Sequence, residues 1–177
     1  AAIEAGGMTI MPGHNDVDNI PAHASKWLLT DVVKNEMGFK GFYISDMGDV
    51  ENLRRIHHTA GYQKEAVRQA FDAGLDMHMY YDGDSSTLMR NHLQELVKEG
   101  RIPMSRIDDA VRRILKVKFD LGLFENRYVD VAADVKATKE HQELALNAAR
   151  ENIVLLKNSE NLLPLAPGRY KRILVTG

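Results

Sequence analysis

Gly38-Phe39-Lys40-Gly41-Phe42-Tyr43-Ile44-Ser45-Asp46 is the stretch that decides the fold predicted for this chain. Its aromatic and aliphatic residues, preceded by glycine, have the composition of a short buried β-strand. From Phe42 onward the run has only aromatic and aliphatic side chains until Ser45 and Asp46. We therefore predict a buried strand that presents the carboxyl group of Asp46 at its C-terminal end.

The same pattern occurs three times in the sequence: an acidic residue near the end of a predicted helix, then glycine, then a short apolar run. The glycines at the three strand entrances, Gly7, Gly41 and Gly74, are 34 and 33 residues apart. A (β/α)8 barrel of about 250 residues uses roughly 31 residues for each βα unit. The period therefore predicts consecutive parallel strands joined by helices.

The regular pattern ends at the segment from Gly122 to Asp134. Beyond it, a helix from about Thr138 to Arg150 and a strand from Arg172 to Thr176 are typical of a second α/β layer domain. We expect an α/β fold in which residues 1–128 form the C-terminal part of a (β/α)8 TIM-like barrel. Residues 129–177 would then form a linker and the beginning of an α/β sandwich domain.

The expected architecture is incomplete, because three strands cannot close a barrel. Both ends of the chain lie at predicted secondary structure, which favours an excised fragment of a longer protein. Such a fragment should expose unpaired strand edges and be poorly stable by itself.

Composition narrows the classes of function. Of the 177 residues 44% are hydrophobic, and the net charge of −2 comes without basic runs, so we expect no nucleic-acid partner. No apolar run reaches the roughly 18 residues of a membrane span. A glycine-rich phosphate-binding fingerprint is missing, so no nucleotide cofactor is expected, and neutral small molecules are the favoured partners. With no cysteine, cytosol, periplasm and exterior stay open as compartments.

Asp46 is the first candidate for chemistry. A carboxylate at the C-terminal end of a parallel barrel strand can attack an electrophilic carbon or accept a proton, and barrel enzymes keep such groups there. The alternative is an aspartate that only caps a turn, and position alone does not decide between the two. For Asp49, three residues on, we expect a loop carboxylate in solvent.

His14 is the second candidate, because it lies in the polar loop from Pro12 to Pro21 on the predicted functional face. We expect it to contact substrate. Structural or incidental roles are expected for His57, His58 and His78. No metal site is predicted, since the calcium-like run Asp82-Gly83-Asp84 has Leu93 where a calcium loop needs glutamate.

Several motifs together resemble glycoside hydrolase family three. They are the stretch Gly38–Asp46 with Asn19-Ile20-Pro21-Ala22-His23-Ala24 before it and Ala73-Gly74-Leu75-Asp76-Met77 after it, then Gly100-Arg101-Ile102-Pro103 to Gly122-Leu123-Phe124, and Ala149-Arg150-Glu151-Asn152-Ile153-Val154-Leu155-Leu156-Lys157-Asn158. They cover almost the whole chain in the family's order, and they are most similar to the β-glucosidase and exo-β-glucanase branch.

The resemblance implies a retaining exo-hydrolase that releases β-linked glucose from a non-reducing end, with no cofactor. Asp46 matches the family's catalytic nucleophile, and the acid/base would come from the second domain, beyond this chain. Two positions depart from the family pattern. Met47 stands where many relatives place a tryptophan wall for the next sugar, and His14 stands where they often have a tyrosine near the nucleophile.

Other functions stay open. A β-xylosidase of the same family is one alternative, and a β-N-acetylglucosaminidase is another. Many β-N-acetylglucosaminidases have only the barrel, so the segment from Ala148 to Leu165, which enters a second domain, argues against the latter. A catalytically dead carbohydrate-binding relative is a third alternative, against which the retained Asp46 speaks. The resemblance is compatible with a periplasmic or secreted location.

Overall fold

The computed structural model describes residues 1–80, 83–128 and 137–174, with side chains 83–88 left out. The chain forms two compact units, Ala1–Arg127 and Tyr128–Gly177. The first unit alternates strands with helices, so the predicted α/β class is correct. No helix in these ranges is both long enough and apolar enough to cross a bilayer.

The elements of the first unit follow the chain in a regular order. Strands are β1 (Thr9–Ile10), β2 (Asp16–Val17), β3 (Ile20–Pro21) and β4 (Phe42–Tyr43). A 3₁₀-helix, Ala22–Ala24, and a π-helix, Trp27–Glu36, lie between β3 and β4. Four α-helices follow: α1 (Asp49–Arg55), α2 (Gln63–Ala73), α3 (Gly83–Lys98) and α4 (Met104–Asp120).

The strands of the central sheet are parallel and adjacent, as the repeat predicts. β1 pairs with β4 in the register Thr9↔Phe42 and Ile10↔Tyr43. A parallel bridge joins Ile44 to Met77, which extends the sheet to the third predicted strand. The strand from Gly38–Asp46 is therefore central, with one parallel neighbour on each side.

The loop between Pro12 and Pro21 contains a hairpin that the sequence did not predict. β2 and β3 pair in antiparallel fashion, with Asp16 opposite Pro21. Asp18 and Asn19 form the two-residue turn, with φ of 51° and 62°. Asn and Asp tolerate this left-handed conformation, which two-residue hairpin turns require. The hairpin limits the freedom of the loop that carries His14.

The core lies between the sheet and the helices that cover it. Tyr43 and Leu75 are completely buried, and Phe39 and Leu29 nearly so. The Tyr43 hydroxyl donates a hydrogen bond to the Leu29 carbonyl at 2.9 Å, which ties the strand to the π-helix. The Phe39 ring packs at 5.4 Å from the Tyr43 ring, measured between centroids. These contacts fix the central strand against one helical layer.

A buried carboxylate holds the N-terminal ends of the strands. The Asp76 side chain is fully buried and accepts hydrogen bonds from the Lys34 ammonium group at 3.0 Å, the Arg106 guanidinium group at 2.8 Å and the Tyr43 backbone N–H at 2.9 Å. Burial lowers the pKa of Lys34 to about 8, although Asp76 opposes that shift. One carboxylate thus joins the π-helix, two strands and α4.

The second unit contains α5 (Lys139–Glu151) and a 3₁₀-helix, Ser159–Asn161. α5 begins at Thr138, whose hydroxyl accepts a hydrogen bond from the His141 N–H, close to the predicted start. The run Ile153-Val154-Leu155-Leu156 is exposed. Arg172–Leu174, the described part of the predicted last strand, is not in a strand, because no described segment pairs with it. The proposed start of a sandwich domain therefore stays a prediction.

Gly41 is expected to be essential for the sheet, because a Cβ atom there would lie 2.0 Å from the Met8 carbonyl oxygen. Gly41→Ala should cost about 3 kcal/mol, the upper end of the usual range for overpacking, since backbone has to move to relieve the overlap. Thermal unfolding of the purified protein measures this. Gly61→Ala, where a Cβ meets nothing within 4 Å, is the matched control, and equal melting temperatures for both variants would contradict the packing described.

Asp76→Asn should destabilise the protein by about 3–5 kcal/mol, because Lys34 and Arg106 lose their buried counter-charge. Urea denaturation followed by circular dichroism measures the change. Asp108→Asn on the exposed side of α4 is the control and should stay within about 0.5 kcal/mol of the parent protein. Similar losses in both variants would show that the Asp76 contacts do not carry the stability assigned to them.

Candidate active site

Asp46 lies at the C-terminal end of the central strand, where the sequence places it. The strand end is fixed on both sides: the Ile44 N–H donates to the Ile10 carbonyl at 3.1 Å, and the Ser45 N–H donates to the Met77 carbonyl at 2.9 Å. The buried Ser45 hydroxyl also accepts from the Met79 N–H at 2.8 Å. The backbone that leads to Asp46 is therefore well held.

A tight turn connects Asp46 to α1. Gly48 has a φ of 77°, in the left-handed region that glycine adopts without strain. The Asp49 N–H donates to the Asp46 carbonyl at 3.3 Å, and α1 begins at Asp49. This turn directs the Asp46 and Asp49 side chains to a common region.

The two carboxylate oxygens of Asp46 have different partners. Oδ1 accepts a hydrogen bond from the Met47 N–H at 2.6 Å. Oδ2 lies 3.0 Å from His14 Nε2. About a third of the Asp46 side chain (33%) is exposed, so the group is both oriented and accessible. A carboxylate held in this way can act on a molecule that binds from solvent.

Asp49 is not the solvent-exposed carboxylate that the sequence suggested. It is 3% exposed, because the turn at Gly48 places the first residue of α1 inward. Its carboxylate contacts His14 Nδ1 at 2.8 Å, His23 Nδ1 at 3.3 Å and Asn52 Nδ2 at 3.0 Å. Three donors compensate for the loss of water around the charge.

His23 completes the group, and sequence reasoning missed it as a site residue. It is buried, and its Nε2 accepts a hydrogen bond from the Asp46 N–H at 3.3 Å. Burial lowers the pKa of His23, so the ring is neutral and its proton is on Nδ1, facing Asp49. The apolar residues around it in the sequence, Pro21, Ala22 and Ala24, were the signal that could have predicted the burial of His23.

His14 lies between the two carboxylates, as its position in the loop allowed. Its Nδ1 and Nε2 contact Asp49 and Asp46, and its side chain is 66% exposed. The hydrogen bond to Asp49, then the charges of Asp49 and Asp46, raise the pKa of His14 above 6.5. We call Asp46, Asp49, His14 and His23 the carboxylate–histidine ring.

The remaining sequence candidates lie beside the ring or outside it. Met47 directly follows Asp46 and is 46% exposed. His57 pairs with Asp16 at 3.1 Å, and His78 pairs with Glu51 at 3.1 Å. His57 thus contacts the loop that carries His14, and His78 contacts α1. Both contacts are of the structural kind expected for these two histidines.

No group of three or more acidic, histidine or cysteine side chains in the described ranges is arranged to hold a metal ion. Asp82, at the start of the calcium-like run, is outside these ranges. A separate cavity of about 700 Å³ lies between α3 and α4, and its mostly apolar lining includes neither Asp46 nor His14. The ring, rather than this cavity, gathers the polar chemistry of the first unit.

Comparisons with known proteins agree on one family. The family model described as "Glycosyl hydrolase family 3 N terminal domain" matches residues 1–117. A lysosomal beta glucosidase of Dictyostelium discoideum is 42% identical over 98% of this chain and 21% of its own length. A beta-xylosidase of Formosa agariphila is 38% identical over 100% of this chain and 25% of its own length. The chain thus spans a quarter or less of these relatives.

Solved structures give the same result. A β-glucosidase from Listeria innocua superimposes with a TM-score of 0.77 at 39% identity, over 93% of this chain and 22% of the other. An exo-1,3/1,4-β-glucanase from a Pseudoalteromonas species superimposes with a TM-score of 0.72 at 34% identity, over 93% of this chain and 20% of the other. The sequence motifs, the parallel sheet and these matches place the chain in glycosyl hydrolase family 3.

Proposed function

We propose that this chain is the nucleophile-bearing part of a retaining, exo-acting β-glucosidase, and that Asp46 is the nucleophile. The observation that carries the proposal is the position of Asp46: an accessible carboxylate at the C-terminal end of the central parallel strand. Enzymes built on βα barrels keep catalytic groups at that end. The relatives named β-glucosidase supply the class of reaction.

The architecture we propose for the complete protein is a TIM-like barrel followed by an α/β sandwich. Residues 1–128 would supply the last strands and helices of the barrel, and residues 129–177 the linker and the start of the second domain. The order of the three parallel segments supports the barrel. The likeness to much longer β-glucosidase structures supports the presence of further strands.

In the proposed first step, a carboxylate oxygen of Asp46 bonds to the anomeric carbon of the terminal sugar while the bond from that carbon to the leaving oxygen breaks. A second carboxyl group protonates the leaving oxygen, and in retaining enzymes it lies about 5–5.5 Å from the nucleophile. We place this acid/base outside the present chain. Water then attacks the same carbon, the ester to Asp46 breaks, and the sugar leaves with its original configuration.

The contacts around Asp46 suit a nucleophile. The Met47 N–H holds Oδ1 at 2.6 Å, so the carboxylate cannot rotate freely. An oriented group reaches the near-attack geometry at lower entropic cost. His14, exposed beside Oδ2, is placed to contact the sugar as well as Asp46, and the exposed Met47 side chain is placed to contact the leaving group.

The sugar proposed for the site is a terminal β-D-glucosyl residue. The Listeria innocua β-glucosidase has been solved with glucose, isofagomine and gluconolactone. β-Xylosidase is the second candidate, and the named β-xylosidase of Formosa agariphila favours it. A β-N-acetylglucosaminidase/β-glucosidase of Cellulomonas fimi, 30% identical, keeps a third sugar open.

Replacing Asp46 with glycine should abolish hydrolysis by the full-length protein, with turnover of an aryl β-glucoside reduced by at least about 10³-fold. Azide, which fits the space left by the carboxylate, should restore cleavage and give the α-glucosyl azide. Product analysis by NMR measures the configuration. Asp31→Ala, at an exposed carboxylate of the π-helix, is the control with normal turnover.

This nucleophile assignment would be contradicted by unchanged turnover of Asp46→Gly. A β-configured azide product would contradict the retaining mechanism, because azide that replaces the nucleophile attacks from the face opposite the leaving group.

The full-length protein should cleave an aryl β-glucoside with a higher kcat/KM than the matching aryl β-xyloside. The extra hydroxymethyl group of glucose offers a contact whose discrimination is usually worth about 10- to 200-fold. Initial-rate kinetics with one leaving group on both sugars measures the ratio. A ratio in favour of xyloside would replace the β-glucosidase proposal with β-xylosidase and leave the role of Asp46 intact.

A further inference from the structure

We propose that His14 is a positioning residue that carries a proton shared with Asp46, and that Asp49 acts through His14 to keep this proton on the imidazole ring. Asp46 is then held as a carboxylate facing an imidazolium N–H. The inference rests on the proposed function of Asp46 as nucleophile. It adds that the reactivity of this nucleophile depends on pH through His14 and Asp49, two residues that form no covalent bond with the sugar.

The donors and acceptors around Asp49 determine the position of one proton of His14. Asp49 is buried, and its carboxylate already accepts from His23 Nδ1 and Asn52 Nδ2. His23 Nε2 accepts from the Asp46 N–H, so His23 has a hydrogen only on Nδ1. With both of these partners donating to an ionised Asp49, the 2.8 Å contact requires that His14 Nδ1 carries a hydrogen.

The second ring nitrogen of His14 then faces Asp46. Nε2 lies 3.0 Å from Asp46 Oδ2, a hydrogen-bond distance that needs one proton between the two atoms. If the proton is on nitrogen, the pair is imidazolium and carboxylate. If it is on oxygen, the pair is imidazole and carboxylic acid, which is a poor nucleophile. A single proton therefore decides whether Asp46 can react.

The charges around His14 favour the reactive arrangement. Asp46 faces the His14 imidazole from the strand end, and Asp49 faces it from α1. The neutral His23 faces Asp49 from the 3₁₀-helix. His57, paired with Asp16 of β2, is a further histidine close enough to influence His23. Two carboxylates against one exposed imidazole raise its pKa above 6.5.

The pH dependence has a definite sign. Because the pKa of His14 is raised, the imidazolium persists below that value and is lost as pH rises through it. Neutral His14 keeps its hydrogen on Nδ1 for Asp49, so the lone pair of Nε2 then faces the Asp46 carboxylate. This repulsion displaces Asp46 from its reactive position. Formation of the glycosyl-enzyme should therefore slow on the alkaline side.

The test is the pH dependence of inactivation of the full-length protein by 2,4-dinitrophenyl 2-deoxy-2-fluoro-β-D-glucoside. This leaving group needs no protonation, so the acid/base does not contribute to the profile. The parent protein should lose inactivation rate through one ionisation above pH 6.5. His14→Gln, whose amide donates without titrating, should lack this alkaline decline, and His14→Tyr should move it towards pH of about 10.

Two further variants separate orientation from charge. Below the alkaline decline of the parent protein, His14→Phe should react up to about 100-fold more slowly than the parent, because Asp46 loses its orienting partner. The rate of this variant should show no decline above pH 6.5. Asp49→Asn should shift the decline to lower pH, because His14 loses its nearest anion. His141→Gln, an exposed histidine of α5, should give the parent profile. An alkaline decline that persists unchanged in His14→Gln overturns the inference.

The inference and the proposed function fail in different ways. No covalent labelling of the parent protein at any pH overturns the proposed function, whereas labelling with a pH profile independent of His14 overturns only the inference. If a variant does not fold, ¹⁵N-histidine NMR of the parent protein decides. The His14 titration midpoint should fall after trapping, because the ester at Asp46 removes one negative charge, and an unchanged midpoint contradicts the shared proton.

Discussion

The candidate site depends on the hydrogen bonds that the buried carboxylate of Asp49 accepts. This carboxylate gathers His14, His23 and Asn52 around one charge, and through the two histidines it reaches both the side chain and the backbone of Asp46. A buried anion without partners would be strongly unfavourable. The ring is therefore a coupled unit, in which removing one member leaves another unsatisfied.

The two ends of the sheet use buried carboxylates differently. At the N-terminal end, Asp76 pairs with Lys34 and Arg106. Arg106 is a guanidinium cation, and Lys34, with a pKa of about 8, is mostly charged at neutral pH, so the contacts support the framework. At the C-terminal end, the partners of Asp49 are Asn52 and two histidines, and histidine is the side chain whose charge changes in the physiological range. Under the proposal made for His14, a buried carboxylate contributes stability at one end of the strands and sensitivity to pH at the other.

Sequence reasoning predicted the local features of this molecule. The glycine-spaced repeat gave three parallel segments, and the apolar run from Phe42 to Ile44 placed Asp46 at a strand end. The polar loop identified His14. Each of these depends on neighbours within a few residues, or on a spacing that can be counted in the sequence.

The features that the sequence did not predict depend on contacts between distant residues. The sequence predicts a loop carboxylate for Asp49, whereas in the structure the turn at Gly48 places it against His14, 35 residues away. His23 has no polar neighbour in sequence, and its role arises only when the 3₁₀-helix packs beside Asp46. The contact from Lys34 in the π-helix to Asp76, 42 residues away, is likewise visible only in the folded chain.

The most direct test of the central claim is the identification of the residue that bonds to the sugar. The full-length protein is trapped with a 2-fluoro glucoside, digested with pepsin at low pH, and sequenced by tandem mass spectrometry. We expect a single ester on Asp46, within the peptide around Tyr43-Ile44-Ser45-Asp46-Met47. A sugar attached to any other residue would contradict the assignment of Asp46 as the nucleophile.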